Sequence, residues 1–479
     1  MADRETRRIA VIGGGVSGLA TAYFLRHPTS GLTAPNVTVI EVAPDLGGKV
    51  VTRALAGRRV DTGPDAFLSR APELAALINE LGLGAKVRGP LNSGAYVWSR
   101  RRLRALPPGS MFGIPERLWP LLRSGLLSPT GAIRAAGDFV LPHTKVGGDP
   151  SVADLTRPRF GREVFDRMVQ PLLGGVHAGD ANLLSAASTV PEIAGLARNS
   201  RSLYLALRSR KKQAPKPTQP PKPPLVTIDG GLGSLIDTLA ANLAGAEVRT
   251  GVGVSALERK NGHYLLELSD GTAIDADEVI LATPAYVTAD LLETVAPHAS
   301  AHLREITYVD VCSVTLAFPR DAVGELPSGT GFLVPPCENE FLVGVSWLSA
   351  KWEHVADSEH VIIRALVGRS GDSRWLDMTD AELVTAVRSD LARMQGIAAE
   401  PRDVIVQRWP QGMPQYTVGH AARLTDIDQA LLDVPGLHLT GAAYRGVGLA
   451  GCVAQAQKLA HHISAFGANT ETAHEGADR

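Results

Sequence analysis

Residues 8–26 read RIAVIGGGVSGLATAYFLR, and residues 36–41 read NVTVIE. Ile9 to Ile12 is a short apolar, β-branched run of the kind that forms a buried parallel strand. Gly13, Gly15 and Gly18 follow in the spacing G-x-G-x-x-G, with Gly14, Val16 and Ser17 between them. The small and apolar residues after Gly18 suit a tightly packed helix. A second strand, Val37 to Ile40, ends at Glu41, 23 residues past Gly18. Each part has a physical role. Gly13 permits the tight turn, Gly15 lets a pyrophosphate approach the backbone, and Gly18 lets the helix lie close to the sheet. The helix start offers free N–H groups and a partial positive charge. Glu41 would accept the ribose hydroxyls and repel a 2′-phosphate. Strand, turn, helix and acid together point to dinucleotide binding rather than to a purely structural βαβ unit.

Outside this stretch, composition sets bounds. A chain of 479 residues is too long for one core, so two or three domains are expected. Hydrophobic residues make up 44% and charged residues 20%, as in ordinary globular proteins. The net charge of −1 gives no general attraction to nucleic acid or acidic lipid. Cys312, Cys337 and Cys452 form no C-x-x-C pair and no metal-ligand spacing, so neither a disulfide framework nor a metal is expected. No signal peptide is expected before the first strand, and no run approaches the length of a membrane span. A cytoplasmic location is expected.

Further along, Asp45-Leu46-Gly47-Gly48-Lys49-Val50 offers a second close approach of backbone to a dinucleotide, or else an ordinary turn. Residues 72–82 carry a helical apolar face of Leu74, Leu77, Ile78 and Leu81. Residues 98–188 change to proline-divided helical text behind a basic knot, Arg100-Arg101-Arg102-Leu103-Arg104. That knot reads as a solvated loop, or as a contact to carboxylates or acidic lipid. Arg208 to Pro224 is basic and proline-rich, which predicts a disordered loop. From Leu225 the text gives strand, glycine turn and helix, then a meander with turns at Asn261-Gly262 and Asp270-Gly271. Residues 300–410 alternate strands with a helix near 380–394. Gly441 and Arg445-Gly446-Val447-Gly448-Leu449 then open a last helix, whose start would close the cofactor site.

Taken together these motifs resemble the FAD-dependent amine-oxidase-like flavoproteins. Several stretches resemble, more narrowly, the oxygen-dependent porphyrinogen oxidases: Thr62-Gly63-Pro64-Asp65-Ala66-Phe67-Leu68, Pro171 to Asp180 (PLLGGVHAGD), Gly331-Phe332-Leu333-Val334-Pro335, Met413-Pro414-Gln415-Tyr416 with Gly419-His420, and Arg445-Gly446-Val447-Gly448. Asp65 stands where the eukaryotic branch carries an arginine, which is similar to the Gram-positive branch that oxidises coproporphyrinogen III. His177 stands where the family usually has an aromatic residue.

The resemblance implies an α/β plus α+β architecture. A Rossmann-type FAD domain would be assembled from residues 8–60, 225–299 and 430–466. Residues 61–97, 189–224 and 300–429 would bind substrate. Residues 98–188 would form a helical, membrane-binding-like subdomain, leaving peripheral membrane contact open. FAD would be held noncovalently by Gly13 to Gly18, Glu41, Val42, Lys49, Gly63, Pro64, Asp65, Ala66, Val254, Trp409, Val447, Gly448 and Leu449. Gly175 and Leu333 match pocket walls. Arg70, next to the flavin-side stretch, is the first candidate to meet a propionate. Hydride would leave a bridge carbon for flavin N5, and oxygen would reoxidise the flavin. Three rounds would remove six electrons, convert coproporphyrinogen III to coproporphyrin III and release three hydrogen peroxides. No acid or base is named, because the flavin carries the chemistry. Hand-over to the next haem-pathway enzyme would follow.

The alternatives on the same fold are a protoporphyrinogen IX oxidase, an amine oxidase or a carotenoid desaturase. A flavin-fold binding module is a further one. An aromatic content of 5% is low for an amine-binding cage, and no cysteine precedes Met413-Pro414 to tether a flavin. A binding module would not need the intact glycine fingerprint.

Overall fold

The structure, a computed structural model, describes residues 6–28, 33–142, 147–213 and 223–475, with side chains up to residue 465. Its first layer is a five-stranded parallel sheet. The strand order is Glu247–Thr250, Asn36–Glu41, Arg8–Ile12, Glu278–Leu281 and Leu437–Leu439. Three distant parts of the chain thus supply one sheet. The central strand Arg8–Ile12 is buried on both faces, which explains its unbroken apolar text. Helix Val16–Arg26 packs on one face with the last helix, Leu449–Glu475, and with helix Gly233–Ala241.

A meander of Val254–Lys260, His263–Leu268 and Ala273–Ala276 is joined by the two turns read from sequence. Asn261 and Gly262 both take positive φ there, 52° and 86°, as a tight hairpin of this twist requires.

The second large sheet has seven strands, in the order Asp403–Pro414, Tyr308–Pro319, His360–Val367, Leu342–Trp347, Gly331–Leu333, Tyr96–Ser99 and Arg102–Ala105. Helix Asp380–Gln395 covers it. Thr379 and Glu382 cap that helix reciprocally, and Gly396 ends it in the left-handed conformation.

A third core gathers short helices between residues 118 and 213. Two boundaries differ from the sequence reading. Arg102–Ala105 is a strand of the large sheet, so the basic knot is half hairpin turn, Arg100 and Arg101 at positive φ, and half strand. Helices Pro191–Asn199 and Leu203–Gln213 belong to the helical core through Ile193, Leu203, Tyr204 and Leu207. The reading of Arg208 to Pro224 as a disordered loop is also corrected. Arg208 to Gln213 is the end of a helix, held by Arg210 on Glu192 and Lys211 on Glu116. Residues 214–222 of that stretch lie outside the described residues. Among the described residues, no helix is long and apolar enough to cross a membrane.

Candidate functional site: a glycine-lined cleft and its buried ionic floor

Glycine geometry defines the first wall. A Cβ on Gly13 would come 3.0 Å from the Ala282 carbonyl oxygen, and one on Gly18 only 1.9 Å from the Gly13 oxygen. These positions are glycine because backbone passes over backbone. A Cβ on Gly14 would strike Leu46 and Glu41. Gly15 differs, since a Cβ there meets nothing within 4 Å. It caps helix Val16–Arg26 with no side-chain partner, leaving the first N–H groups of that helix free. Gly448 is equally open and stands at the start of helix Leu449–Glu475. Two packed helices therefore both begin at unfilled space.

Glu41 is buried, and its two oxygens accept from the Gly14 and Ala43 N–H groups at 2.6 and 2.9 Å. A carboxylate has about four acceptor sites, so ribose hydroxyls remain within its capacity. Next to it Val42 is 71% exposed, an apolar face for an adenine, with Gly253 and the start of strand Val254–Lys260 alongside. Gly47 donates its N–H to the Gly14 carbonyl at 2.8 Å, which fastens the second glycine turn to the first.

Lys49 is half-buried, with no hydrogen-bond or ion-pair partner among the described residues. Burial lowers its pKa, and the nearby Cys452 thiol opposes that shift. Cys452 is buried and hydrogen-bonded to Ser17, which ties the first helix to the last. An unpaired cation beside two helix starts suits a diphosphate. The residues present therefore fit a flavin dinucleotide.

The stretch Thr62 to Leu68 follows. A Cβ on Gly63 would lie 2.0 Å from the Lys49 carbonyl oxygen and 3.9 Å from the Trp409 ring. The fold thus joins Lys49, Gly63 and Trp409, residues far apart in sequence. Pro64 is exposed, while Ala66 packs on a small core with Leu348 and Trp352. Asp65 is buried and points into the large sheet. Its Oδ2 accepts from Lys351 Nζ and Trp352 Nε1, both at 2.8 Å, and its Oδ1 lies 2.9 Å from Arg364 Nη2. Burial alone would raise its pKa, but Arg364, Lys351 and the two hydrogen bonds hold it far below the usual carboxylate range. An acid here does not meet a substrate anion, because its charge is spent inside the protein. Asp61 behaves oppositely: burial pushes it up to about 6, against hydrogen bonds from Thr52 and the Leu232 N–H.

On the far side of the last glycine turn, Gly446 donates its N–H to Tyr416 Oη, which donates in turn to the Ala442 carbonyl. Tyr416 stacks on His420 at 4.0 Å. Val447 is half-buried and Leu449 buried in the core beneath that turn.

For the substrate candidates, Gly175 and Leu333 are brought together. A Cβ on Gly175 would come 3.0 Å from Leu333 Cδ2, where helix Gln170–His177 crosses strand Gly331–Leu333. His177 is buried, and burial lowers its pKa to about 4, so the ring is neutral. Arg70 is exposed on the turn before helix Pro72–Glu80, with no hydrogen bond or ion pair among the described residues. No contact links it to Gly175 or Leu333.

Sequence reasoning missed Arg364, Lys351, Trp352 and Ser313. One signal was present: Arg364 interrupts the apolar strand text HVIIRALV, and a buried charge requires a partner.

The chain matches the family model of flavin-containing amine oxidoreductases over residues 16–464. It is 33% identical to the coproporphyrinogen III oxidase of Bacillus subtilis (strain 168), covering 94% of this chain and 96% of that one. It is 30% identical to the coproporphyrinogen III oxidase of Staphylococcus aureus, covering 96% and 99%. A crystal structure from Exiguobacterium sp. 255-15, assigned provisionally to the protoporphyrinogen oxidases, superposes with a TM-score of 0.85 at 31% identity, covering 96% and 99%. The chain belongs to the flavin-containing amine oxidoreductase family and, within it, to the family of the coproporphyrinogen III oxidases.

Proposed function

We propose that this flavin-dependent oxidoreductase binds FAD noncovalently and oxidises coproporphyrinogen III to coproporphyrin III with molecular oxygen. The observation that carries the cofactor assignment is the pair of open helix starts at Gly15 and Gly448, with Glu41 and the unpaired Lys49 beside them. The substrate assignment is supported by the curated relatives, and by the seating of Asp65 away from any substrate anion.

Bound FAD supplies the hydride acceptor. The chain supplies the remainder. Gly13 to Gly18 carry the pyrophosphate and Glu41 the ribose, with Val42 and Val254 beside the adenine. Lys49, Gly63 to Ala66, Trp409 and Val447 to Leu449 enclose the ribityl chain and flavin. Gly175 and Leu333 wall the ring of the porphyrinogen and keep water from the bridge carbon. Exposed cations such as Arg70 gather propionates at a wet mouth, because a buried unpaired charge costs more than it returns. Cys312, Cys337 and Cys452 are all free thiols, which suits a reducing compartment.

Parallel oxidation assays with coproporphyrinogen III and protoporphyrinogen IX, followed by porphyrin fluorescence, test the substrate. The expected result is the higher kcat/KM on coproporphyrinogen III, with peroxide formed. Equal or better use of protoporphyrinogen IX sinks the substrate assignment. Acid release of flavin, identified as FAD in the supernatant, tests the noncovalent cofactor.

A further inference from the structure

Three consecutive carbonyls of the flavin-side stretch are taken up by the large sheet. Arg364 Nη1 donates to the Asp61 oxygen at 3.0 Å and to the Gly63 oxygen at 2.6 Å. Ser313 Oγ donates to the Thr62 oxygen at 2.7 Å. The second amino group of Arg364 meets Asp65 Oδ1 at 2.9 Å, so one guanidinium holds both ends of the turn. Arg364 is 5% exposed and sits mid-strand in His360–Val367, where rigid pairing on both edges fixes its backbone. Lys351 and Trp352 hold the other Asp65 oxygen.

With the carbonyls drawn to the sheet, the N–H groups of Gly63 and Asp65 have no acceptor among the described residues. Pro64 between them has no N–H to offer. The turn therefore keeps two backbone donors without a protein acceptor, while the carbonyls of Asp61, Thr62 and Gly63 are already taken up by Arg364 and Ser313. Such donors stabilise negative charge, which grows on a flavin ring as it is reduced.

We propose that Arg364 is a positioning residue for flavin reduction: it clamps the 61–65 turn from beneath, so that the Gly63 and Asp65 N–H groups face the ring. This rests on the functional reading above, in which the turn lies along the flavin. The clamp raises the flavin potential by favouring the reduced, more negative form. Lys cannot replace it, because an ammonium lacks the planar fork that reaches Asp61, Gly63 and Asp65 at once.

The test compares three variants of the flavin-loaded protein. Arg364→Lys keeps the charge and loses the fork. Lys351→Met removes a cation beside Asp65 and leaves the carbonyl clamp. Ser313→Ala removes only the Thr62 contact. The flavin potential is read from the visible band without any porphyrinogen, and kcat and KM are measured separately. Arg364→Lys is expected to lower the potential by about 30 mV, tenfold in the equilibrium of a two-electron couple. It should reduce kcat by about tenfold with KM within about twofold, the pattern of an interaction realised in the transition state. Ser313→Ala should move the potential the same way by a smaller step, and Lys351→Met less than Arg364→Lys. An Arg364→Lys protein with wild-type potential, or one that shifts no further than Lys351→Met, overturns the clamp. If Arg364→Lys does not fold, an unshifted potential in Ser313→Ala overturns it. A wild-type protein that takes up no flavin overturns the functional reading as well, which separates the two failures.

Discussion

Two glycines of one motif make opposite predictions. Gly15 has β-region backbone angles, φ −73° and ψ 177°, that any residue adopts, and open space beyond its Cα. Gly15→Val should fold with a melting temperature close to wild type and purify without yellow colour. Gly18→Val drives a side chain into the Gly13 carbonyl at 1.9 Å and should not fold. A Gly15→Val protein that retains stoichiometric flavin would show the motif assignment to be wrong. Asp61 and Asp65 give a pH test. Asp61, raised to about 6 in the fold, binds its proton more tightly there than in the unfolded chain. Its contribution to stability is present below the ordinary carboxylate pKa and is lost as pH rises toward 6. Asp65 is depressed, so its contribution is present above the ordinary value and is lost as pH falls further. Asp61→Asn should therefore flatten the fall in stability between about pH 4 and 6 relative to wild type, measured by urea denaturation at each pH. An unchanged slope refutes the buried-carboxyl reading. The glycines were legible because each answers to backbone sterics that act within a few residues. The charge on Asp65 was legible but its direction was not, since Lys351 and Arg364 lie about 300 positions away in sequence.

Among the elements, those with a local code were read correctly. The first strand and helix, the hairpin turns of the meander and the helix at 380–395 each carry their own start and stop signals. The stretch near residue 100 was misread because a four-residue strand, Arg102–Ala105, shows only an exposed edge and exists by pairing with Tyr96–Ser99. Helix Leu203–Gln213 was misread in its last turn and a half because its polar end resembles a linker. Ion pairs to Glu192 and Glu116 keep it helical. The helical core depends on a buried pair that composition does not announce. Arg159, 2% exposed, meets Asp138 and donates to the carbonyls of Ala197, Ser200 and Arg201. Asp138 also accepts from Ser202 Oγ and the Tyr204 N–H. Arg159→Met leaves the buried Asp138 carboxylate without its counter-ion and three carbonyls without their donor. It should cost about 3–5 kcal/mol in chemical denaturation, the range for breaking a buried pair from one side. A loss under about 1 kcal/mol would place the pair among ordinary exposed bridges.

At the scale of the whole molecule, the candidate cofactor site is built from parts that no single segment contains. The parallel sheet takes strands from the beginning, middle and end of the chain, and the two helix starts come from its opposite ends. The large sheet then reaches across with Arg364 and Ser313 to hold the carbonyls of the 61–65 turn. Charge is spent inside this assembly, with Asp65 neutralised by Lys351 and Arg364. The cations that meet a propionate-bearing ring must therefore be ones that the fold leaves unspent. Arg70 is such a residue: it is exposed, without an ion pair among the described residues, and only a few positions beyond the flavin-side turn. Because it is solvated, its attraction to a propionate is worth no more than the ~1 kcal/mol of a good exposed pair. Arg70→Ala should thus raise KM for coproporphyrinogen III by up to about fivefold, with kcat unchanged, since a peripheral contact is made equally in ground and transition states. The effect should shrink as salt rises, because exposed charges are screened over about 8 Å at physiological ionic strength. It should also be weaker for a porphyrinogen with fewer carboxylates. An unchanged KM removes Arg70 from the mouth, and a fall in kcat alone would mean that it acts on the flavin-side turn.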